Sequence, residues 1–360
     1  MNQFPEKLEK KLQQRRESNT FRELIQAKGV DFFSNDYLGA SQIQNGSDHF
    51  HGSTGSRLIS GNTAFTEKLE QEIASFFGKP AALLFNSGYD ANLGLISSLA
   101  QRNDTVLYDS LSHASVRDGI QLSLAKSYSF RHNDVAHLKE RLEKAEGTVY
   151  VMVESIYSMD GDQAPLKEIA RLCQEYKAYL IVDEAHSGGV YGEKGRGLVN
   201  ELNLDDQVFA KVMTYGKAYG SHGAFVLGGE KLKHYLINFA RSLIYTTAIS
   251  PQAQERLRRI TILIGEMDLE RKRLWDNIDY FRKKATEAGL SINESSSAIQ
   301  LFMIPGIEKA KQTAQRIQEA GMMVKAILAP TVPEGEERIR VCLHSFNTKE
   351  EIDALIQAAR

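Results

Sequence analysis

Two short stretches of this chain carry residue types that do carbonyl chemistry when brought together. Thr214-Tyr-Gly-Lys-Ala-Tyr-Gly220 sets one lysine, Lys217, between glycines and directly after an apolar run. A lysine amine becomes a nucleophile toward carbonyls when a desolvated pocket lowers its pKa. Alone the pattern is weak, because most lysines are solvated surface charges. The second stretch, Asp183-Glu-Ala-His186, closes the run Tyr-Leu-Ile-Val. Its letters match a helicase box in which strand-end acids hold Mg²⁺. That reading requires a phosphate loop of the form G-x-x-x-x-G-K-[ST], whereas Gly78-Lys79 is followed by Pro80 and Gly216-Lys217 by Ala218. Two readings remain open: an acid that keeps a proton on a heteroaromatic nitrogen, as pyridoxal phosphate chemistry demands, and a plain acid capping a turn.

The cofactor reading makes further demands. Pyridoxal phosphate needs a lysine to carry it, an acid at the pyridine nitrogen, a ring over its face and donors for its phosphate dianion. Lys217 and Asp183 supply the first two. His113, in Ser112-His-Ala-Ser115, can stack on the ring, and Ser87-Gly-Tyr89 opens a helix whose N-terminal amides suit a phosphate. A strand-end histidine or a helix start is individually common, but these parts occur together and in order.

The elements that must position them follow a regular alternation. Apolar runs at Ala81–Phe85, Thr105–Tyr108, Lys126–Phe130, Thr148–Val153, Tyr179–Val182, Val208–Met213 and Ala224–Leu227 are separated by helical windows. The pattern predicts an α/β fold with a mostly parallel sheet covered on both faces. Ligands bind at the carboxyl ends of such strands, where Asn86 to Tyr89, Asp109 to His113, Glu154 to Asp160, Asp183 to His186 and Thr214 to Lys217 gather. Upstream, residues 1–50 form an arm with a narrow apolar stripe and a turn-forming segment. Glycines interleaved with Ser, Thr and Arg57 over 52–61 read as a loop, and Phe65, Leu69, Ile73 and Phe76 share one helix face. The large domain is placed at 51–250 and a long helical stretch at 251–288. A smaller α+β domain occupies 289–360, its last helix opened by the capping box Thr348-x-x-Glu351.

Composition removes several function classes. The chain has 360 residues, 44 basic against 46 acidic side chains and a net charge of −2, so it lacks the basic field that draws proteins to nucleic acid. Cys173 and Cys342 sit far apart with no C-x-x-C or Cys/His cluster near them, which argues against a disulfide framework or a metal site. Residues 1–18 are dense in charge, no secretory signal is expected, and no apolar run reaches membrane-spanning length. A cytoplasmic enzyme with neither membrane nor nucleic-acid partner is expected.

The ordered motifs Ser34-Asn-Asp-Tyr-Leu-Gly39, Gly55-Ser-Arg-Leu-Ile-Ser-Gly61, Ser87-Gly-Tyr-Asp-Ala-Asn92, Leu111-Ser-His-Ala-Ser115, Ser158-Met-Asp-Gly-Asp162, Asp183-Glu-Ala-His186, Thr214-Tyr-Gly-Lys217 and Pro330-Thr-Val-Pro333 with Arg338-Ile-Arg340 cover the chain. In them the sequence resembles the α-oxoamine synthase family of pyridoxal phosphate enzymes, with the fold-type-I aminotransferase architecture. The resemblance implies an acyltransferase that condenses an amino acid with an acyl thioester and releases CO₂. The arm Arg15-Arg-Glu-Ser-Asn-Thr-Phe-Arg22 and the segment Leu243-Ile-Tyr-Thr-Thr-Ala-Ile-Ser-Pro251 are most similar to members that use L-alanine and a pimeloyl thioester; glycine with an acetyl thioester is the alternative. It further implies that Lys217 carries the cofactor and moves the Cα proton, Asp183 pairs with the pyridine nitrogen, His186 and Ser158 meet the phenolic oxygen, and His113 stacks on the ring. Ser87, Gly88, Tyr89, Thr214 and, from a second subunit of a homodimer, Thr246 or Thr247 would hold the phosphate. Arg340, Asn35 and Arg22 would meet the substrates. Ser187, where the family usually has glycine, and Cys342-Leu-His344, where small hydroxylated residues are common, depart from the pattern.

Overall fold

The computed structural model describes residues 14, 16–19, 30–32, 37–38, 53, 55–59 and 61–360. The chain divides into two compact units, one of residues 35–275 with 344–346, the other of 1–34, 276–343 and 347–360.

The larger unit is built on seven strands: β1 (Ala81–Phe85), β2 (Thr105–Asp109), β3 (Lys126–Phe130), β4 (Val149–Glu154), β5 (Tyr179–Asp183), β6 (Ala210–Thr214) and β7 (Ala224–Gly228), in the order β1-β7-β6-β5-β4-β2-β3. Neighbours from β3 through β6 are parallel, and β7 runs antiparallel between β6 and β1. Strands buried on both faces read as continuous apolar runs, which is why β1 and β7 are apolar and buried throughout. At the sheet edge β3 reads Lys-Ser-Tyr-Ser-Phe and exposes its first three residues.

Helix α1 (Ala64–Phe76) precedes β1; between the strands lie α2 (Gly88–Leu99), α3 (Ala114–Leu122), α4 (Val135–Leu142) and α5 (Leu166–Glu175), and α6 (Glu230–Phe239) follows β7. The main core fills one side of the sheet, where Leu95 and Ile96 of α2 and Val116 and Ile120 of α3 meet Val106, Met152, Ile181 and Val212. Helix α1 departs from the expected face: Phe65 and Phe76 are only half-buried, and Thr66 and Glu70 are buried with Leu69 and Ile73. Both polar groups have partners. The Thr66 hydroxyl donates to Gln254 Oε1 at 2.7 Å, and Glu70 Oε1 accepts from Arg57 at 2.7 Å and from the Leu84 amide at 3.0 Å.

The helical stretch from Pro251 breaks at Met267 into α7 (Pro251–Glu266) and α8 (Asp268–Glu287). Ser250 caps α7 by accepting from the Ala253 amide at 3.3 Å, with Pro251 in the first turn, where its missing N–H costs nothing. The smaller unit holds a three-stranded antiparallel sheet, with β10 (Arg338–Cys342) between β8 (Ile299–Met303) and β9 (Lys325–Ile327). It also holds α9 (Ile307–Glu319) and α10 (Lys349–Ala359), the latter opened by the reciprocal Thr348–Glu351 capping box.

Candidate active site

Parallel register brings two carboxyl groups to adjacent strand ends. Asp183, the last residue of β5, pairs in register with Glu154, the last of β4, and both are buried. Asp183 Oδ2 accepts from Asn92 Nδ2 at 2.6 Å and Oδ1 from the Ala185 amide at 2.9 Å. Glu154 Oε1 accepts from the His113 amide at 2.6 Å. Burial raises the Asp183 pKa; the bonds from Asn92 and Ala185 and the charges of His113 and Lys217 oppose the rise without cancelling it. Burial, aided by the charge of Asp183, pushes Glu154 up to about 8.

Asn92 makes the next connection. It lies on α2 one turn beyond Gly88, and its second amide hydrogen goes to Ser115 Oγ at 3.0 Å. The Ser115 hydroxyl sits 2.8 Å from His113 Nδ1, which also accepts from the Ser115 amide at 3.2 Å. With Nδ1 accepting, the neutral imidazole carries its proton on Nε2. An unbroken chain therefore runs from the Asp183 carboxylate through Asn92 and Ser115 to the His113 ring.

Lys217 stands three residues past Thr214, the end of β6, in a turn closed by Gly220 N to Lys217 O at 2.9 Å and Ser221 N to Tyr215 O at 2.8 Å. The flanking Tyr215 and Tyr219 are buried and stacked with centroids 4.2 Å apart, so the turn is anchored on both sides of the half-buried lysine. A Cβ added to Gly88 would lie 2.3 Å from Thr214 Oγ1, which sets the threonine hydroxyl against the first turn of α2. Ser87 caps that helix, accepting from the Asp90 amide at 3.1 Å and donating to Asp90 Oδ2 at 2.8 Å. Tyr89 bonds Asp118 through its hydroxyl and faces His113 edge-on at 6.4 Å. His186 Nδ1 is 2.9 Å from the Tyr37 hydroxyl. Ser158 is half-buried in the loop between β4 and α5. Asn86 donates to Thr246 Oγ1 at 3.2 Å and to the Thr247 carbonyl at 2.9 Å, so both threonines lie beside the Ser87 turn of their own chain. Arg340 is half-buried on β10 of the smaller unit, opposite Lys325 and Leu301. Arg22 and Asn35 fall outside the described residues.

Asn92, Ser115 and Glu154 lie in stretches singled out from the sequence but were given no role there. Glu154 had a signal, since it ends an apolar run as Asp183 does. Asn92 stands four residues after Gly88, one helical turn on the same face. Ser187, unusual at its position, is held by Ser155 Oγ at 2.8 Å and Glu184 Oε1 at 2.9 Å.

The donor set matches what pyridoxal phosphate needs. Asp183 is a buried acid with a fixed orientation, a helix N-terminus and a threonine hydroxyl meet at a glycine, and a lysine stands on an anchored turn. The profile of the aminotransferase class I and II family matches residues 27–358. The chain belongs to this family. Among its relatives, the 8-amino-7-oxononanoate synthase of Emericella nidulans is 40% identical over 93% of this chain and 89% of its own. That of Methylococcus capsulatus is 41% identical over 92% and 88%. A serine palmitoyltransferase from S. paucimobilis with bound PLP–myriocin aldimine superposes with a TM-score of 0.87 at 28% identity, covering 98% of this chain and 96% of that one. The 8-amino-7-oxononanoate synthase of Francisella tularensis gives 0.81 at 30% identity, covering 92% and 96%. These neighbours share the α/β architecture anticipated from the strand pattern and the fold type I that the resemblance implied.

Proposed function

We propose that the chain is an 8-amino-7-oxononanoate synthase, a pyridoxal-phosphate-dependent C-acyltransferase of biotin synthesis. It condenses L-alanine with pimeloyl-CoA or a pimeloyl carrier protein. The observation that carries this reading is the roughly 40% identity, over about nine-tenths of the chain, with relatives of that name. The strand-end geometry supplies the chemistry.

When bound, pyridoxal phosphate supplies an electron sink for the pair released at the amino acid's Cα. Asp183, buried and oriented by Asn92 and Ala185, holds the proton on the pyridine nitrogen. Gly88 and Tyr89 amides and the Thr214 hydroxyl bind the phosphate; Thr246 or Thr247, expected from a second subunit, lies beside Asn86 of its own chain. Ser87 contributes by capping α2, since its hydroxyl is committed to Asp90. His113 presents its ring to the cofactor face, held by Ser115 and by Glu154 through its amide. His186 and Ser158 meet the phenolic oxygen. Lys217 anchors the cofactor, removes the Cα proton of alanine and returns one after CO₂ departs. In the net reaction the Cα–carboxylate and thioester C–S bonds break, a bond forms between Cα and the acyl carbon, and the departing thiolate takes up one proton from solvent. On the family resemblance alone, Arg340, Asn35 and Arg22 are assigned to the substrates, Arg340 to the carboxylate that an arginine fork fits best.

Purified protein loaded with pyridoxal phosphate should release CO₂ and free thiol with alanine and pimeloyl-CoA, and neither with glycine and acetyl-CoA. Turnover with the second pair only would overturn the assignment. The same reading makes the enzyme cytoplasmic and a homodimer, and sedimentation of the purified protein tests the dimer.

A further inference from the structure

Outside the residues assigned above, one cluster joins two of the loops that carry them. His132 follows β3 and is flanked by two carboxylates, with Nδ1 2.8 Å from Asp109 Oδ1 and Nε2 2.7 Å from Asp162 Oδ2. An imidazole with an acceptor on each nitrogen donates from both, which makes it the cation. Burial disfavours that charge, but the two carboxylates outweigh it and push the ring's pKa up to about 10. Tyr157 closes over the ring edge-on, with centroids 4.5 Å apart.

Each carboxylate organises a different loop. Asp109, fully buried at the end of β2, also accepts from the Leu111 amide at 2.8 Å and the Asn133 amide at 2.9 Å, and its carbonyl accepts from the Ser112 amide at 3.0 Å. It thereby shapes the turn that delivers His113. Asp162 closes the loop that carries Ser158. That loop is pinched by the Ile156–Gln163 bridge, by Tyr157 N to Asp162 O at 3.0 Å and by Gly161 N to Tyr157 O at 2.8 Å. Asn133 strengthens the same junction, donating to Asp162 Oδ2 at 2.5 Å and to the Gln163 carbonyl at 3.2 Å. A single rigid ring, with its two nitrogens on opposite edges, fixes the distance between the two loops. Without it two carboxylates face each other, and like charges at that range repel.

We propose that the Asp109–His132–Asp162 triplet is a positioning device that ties the Ser158 loop to the His113 turn, so that both meet the cofactor in one fixed geometry. The inference rests on the function proposed above. His132 itself touches neither substrate nor cofactor and acts through its two neighbours.

The test compares His132→Gln, Asp162→Asn, Ser158→Ala and the His132→Gln/Ser158→Ala double variant in the pyridoxal-phosphate-loaded enzyme. Three measurements are needed: the visible absorbance of the lysine-linked cofactor with its pH midpoint, kcat and KM, and amide hydrogen exchange over residues 110–113 and 156–162. We expect His132→Gln to retain the cofactor and to shift the midpoint in the direction Ser158→Ala shifts it. Its kcat should fall about 10- to 100-fold, the usual loss from small misplacement of catalytic groups. Exchange should quicken in both loops, and the double variant should lose little beyond either single, the signature of groups acting as one unit. A wild-type midpoint with only a lowered melting temperature, multiplicative losses in the double variant, or quickened exchange in neither loop would each overturn the proposal. Should His132→Gln not fold, Asp162→Asn, which leaves the Asp109 contact in place, carries the same measurements. A wild-type enzyme without lysine-linked absorbance would sink the proposed function, while the exchange data would still decide whether the triplet ties the loops.

Discussion

The junction of Gly88 with Thr214 offers a sharp test of the phosphate site. A methyl group added in Gly88→Ala would stand 2.3 Å from Thr214 Oγ1, 3.2 Å from Cγ2 and 3.3 Å from Cβ. The oxygen contact is impossible, and it is relieved only by turning the threonine about χ1, so that its methyl group or its Cβ hydrogen takes the place of the hydroxyl, or by shifting the backbone. Relief therefore moves the hydroxyl away from the first turn of α2. If that hydroxyl binds the phosphate, its displacement removes one hydrogen bond to a charged group, worth about 1.5–3 kcal/mol. At 1.4 kcal/mol per tenfold, that is a weakening of pyridoxal phosphate binding by roughly 10- to 100-fold. Overpacking adds a global destabilisation of about 1–3 kcal/mol, visible separately as a lowered urea midpoint. The assay is a titration of cofactor-free protein followed by visible absorbance, on Gly88→Ala, Thr214→Ala and the double variant. Thr214→Ala should weaken binding by a similar factor, and because it clears the space the added methyl needs, the double variant should bind no worse than Thr214→Ala. A Gly88→Ala protein that is less stable yet binds the cofactor as tightly as wild type would refute the placement of the phosphate at this junction.

Three further outcomes follow from the same geometry. Lys217→Ala should still bind pyridoxal phosphate but lose the borohydride-reducible absorbance; retained reducible absorbance would move the cofactor to another lysine. Asn92→Ala leaves Asp183 and Ser115 each short of a partner, so it should cost about 1–3 kcal/mol in urea unfolding, and with one bond that lowers it gone the Asp183 pKa should rise further. Glu154 holds its proton up to about 8 in the fold, whereas an unfolded chain releases it near the ordinary value of about 4.3. Across that window the native state binds more protons, so this group makes stability fall as pH rises. Glu154→Gln keeps the acceptor for the His113 amide and cannot ionise, so cofactor-free variant protein should show a flatter decline in urea midpoint between about pH 4.5 and 8. An unchanged slope would reject the assignment.

Apart from the edge strand β3, which exposes its first three residues, the sheet was legible because its strands are buried on both faces. Burial of that kind writes a continuous apolar run, and each of the seven runs read from the sequence lies within two residues of an observed strand. Legibility failed where polar pairing replaced apolar periodicity. Thr66 and Glu70 are buried on α1 because Gln254 and Arg57 meet them, and nothing local announces a partner 188 residues away in sequence. The break between α7 and α8 at Met267 had a local signal that the apolar periodicity overrode, Gly265 two residues before it. In the smaller unit the chain over 322–327 forms two short pieces, Met322–Met323 and Lys325–Ile327, the first paired in parallel with Val30–Asp31.

The site divides along the same line. Lys217, Asp183, His186 and His113 stand at or just past strand ends, where a residue's type and its place in the run together suggest a task. The groups that orient them do not. Asn92 matters because the rise of α2 sets its amide between Asp183 on β5 and Ser115 on α3, a fact of three elements meeting. Glu154 matters because the β4–β5 register puts it beside Asp183; a one-residue slip would turn it to the opposite face of the sheet. His132 matters because β3 lies next to β2 at the edge, so the residues that follow β3 reach both Asp109 and the Ser158 loop. Chemistry-bearing residues can thus be read from the chain one at a time, while the hydrogen bonds that aim them belong to pairs of strands and appear only once the order of the sheet is known.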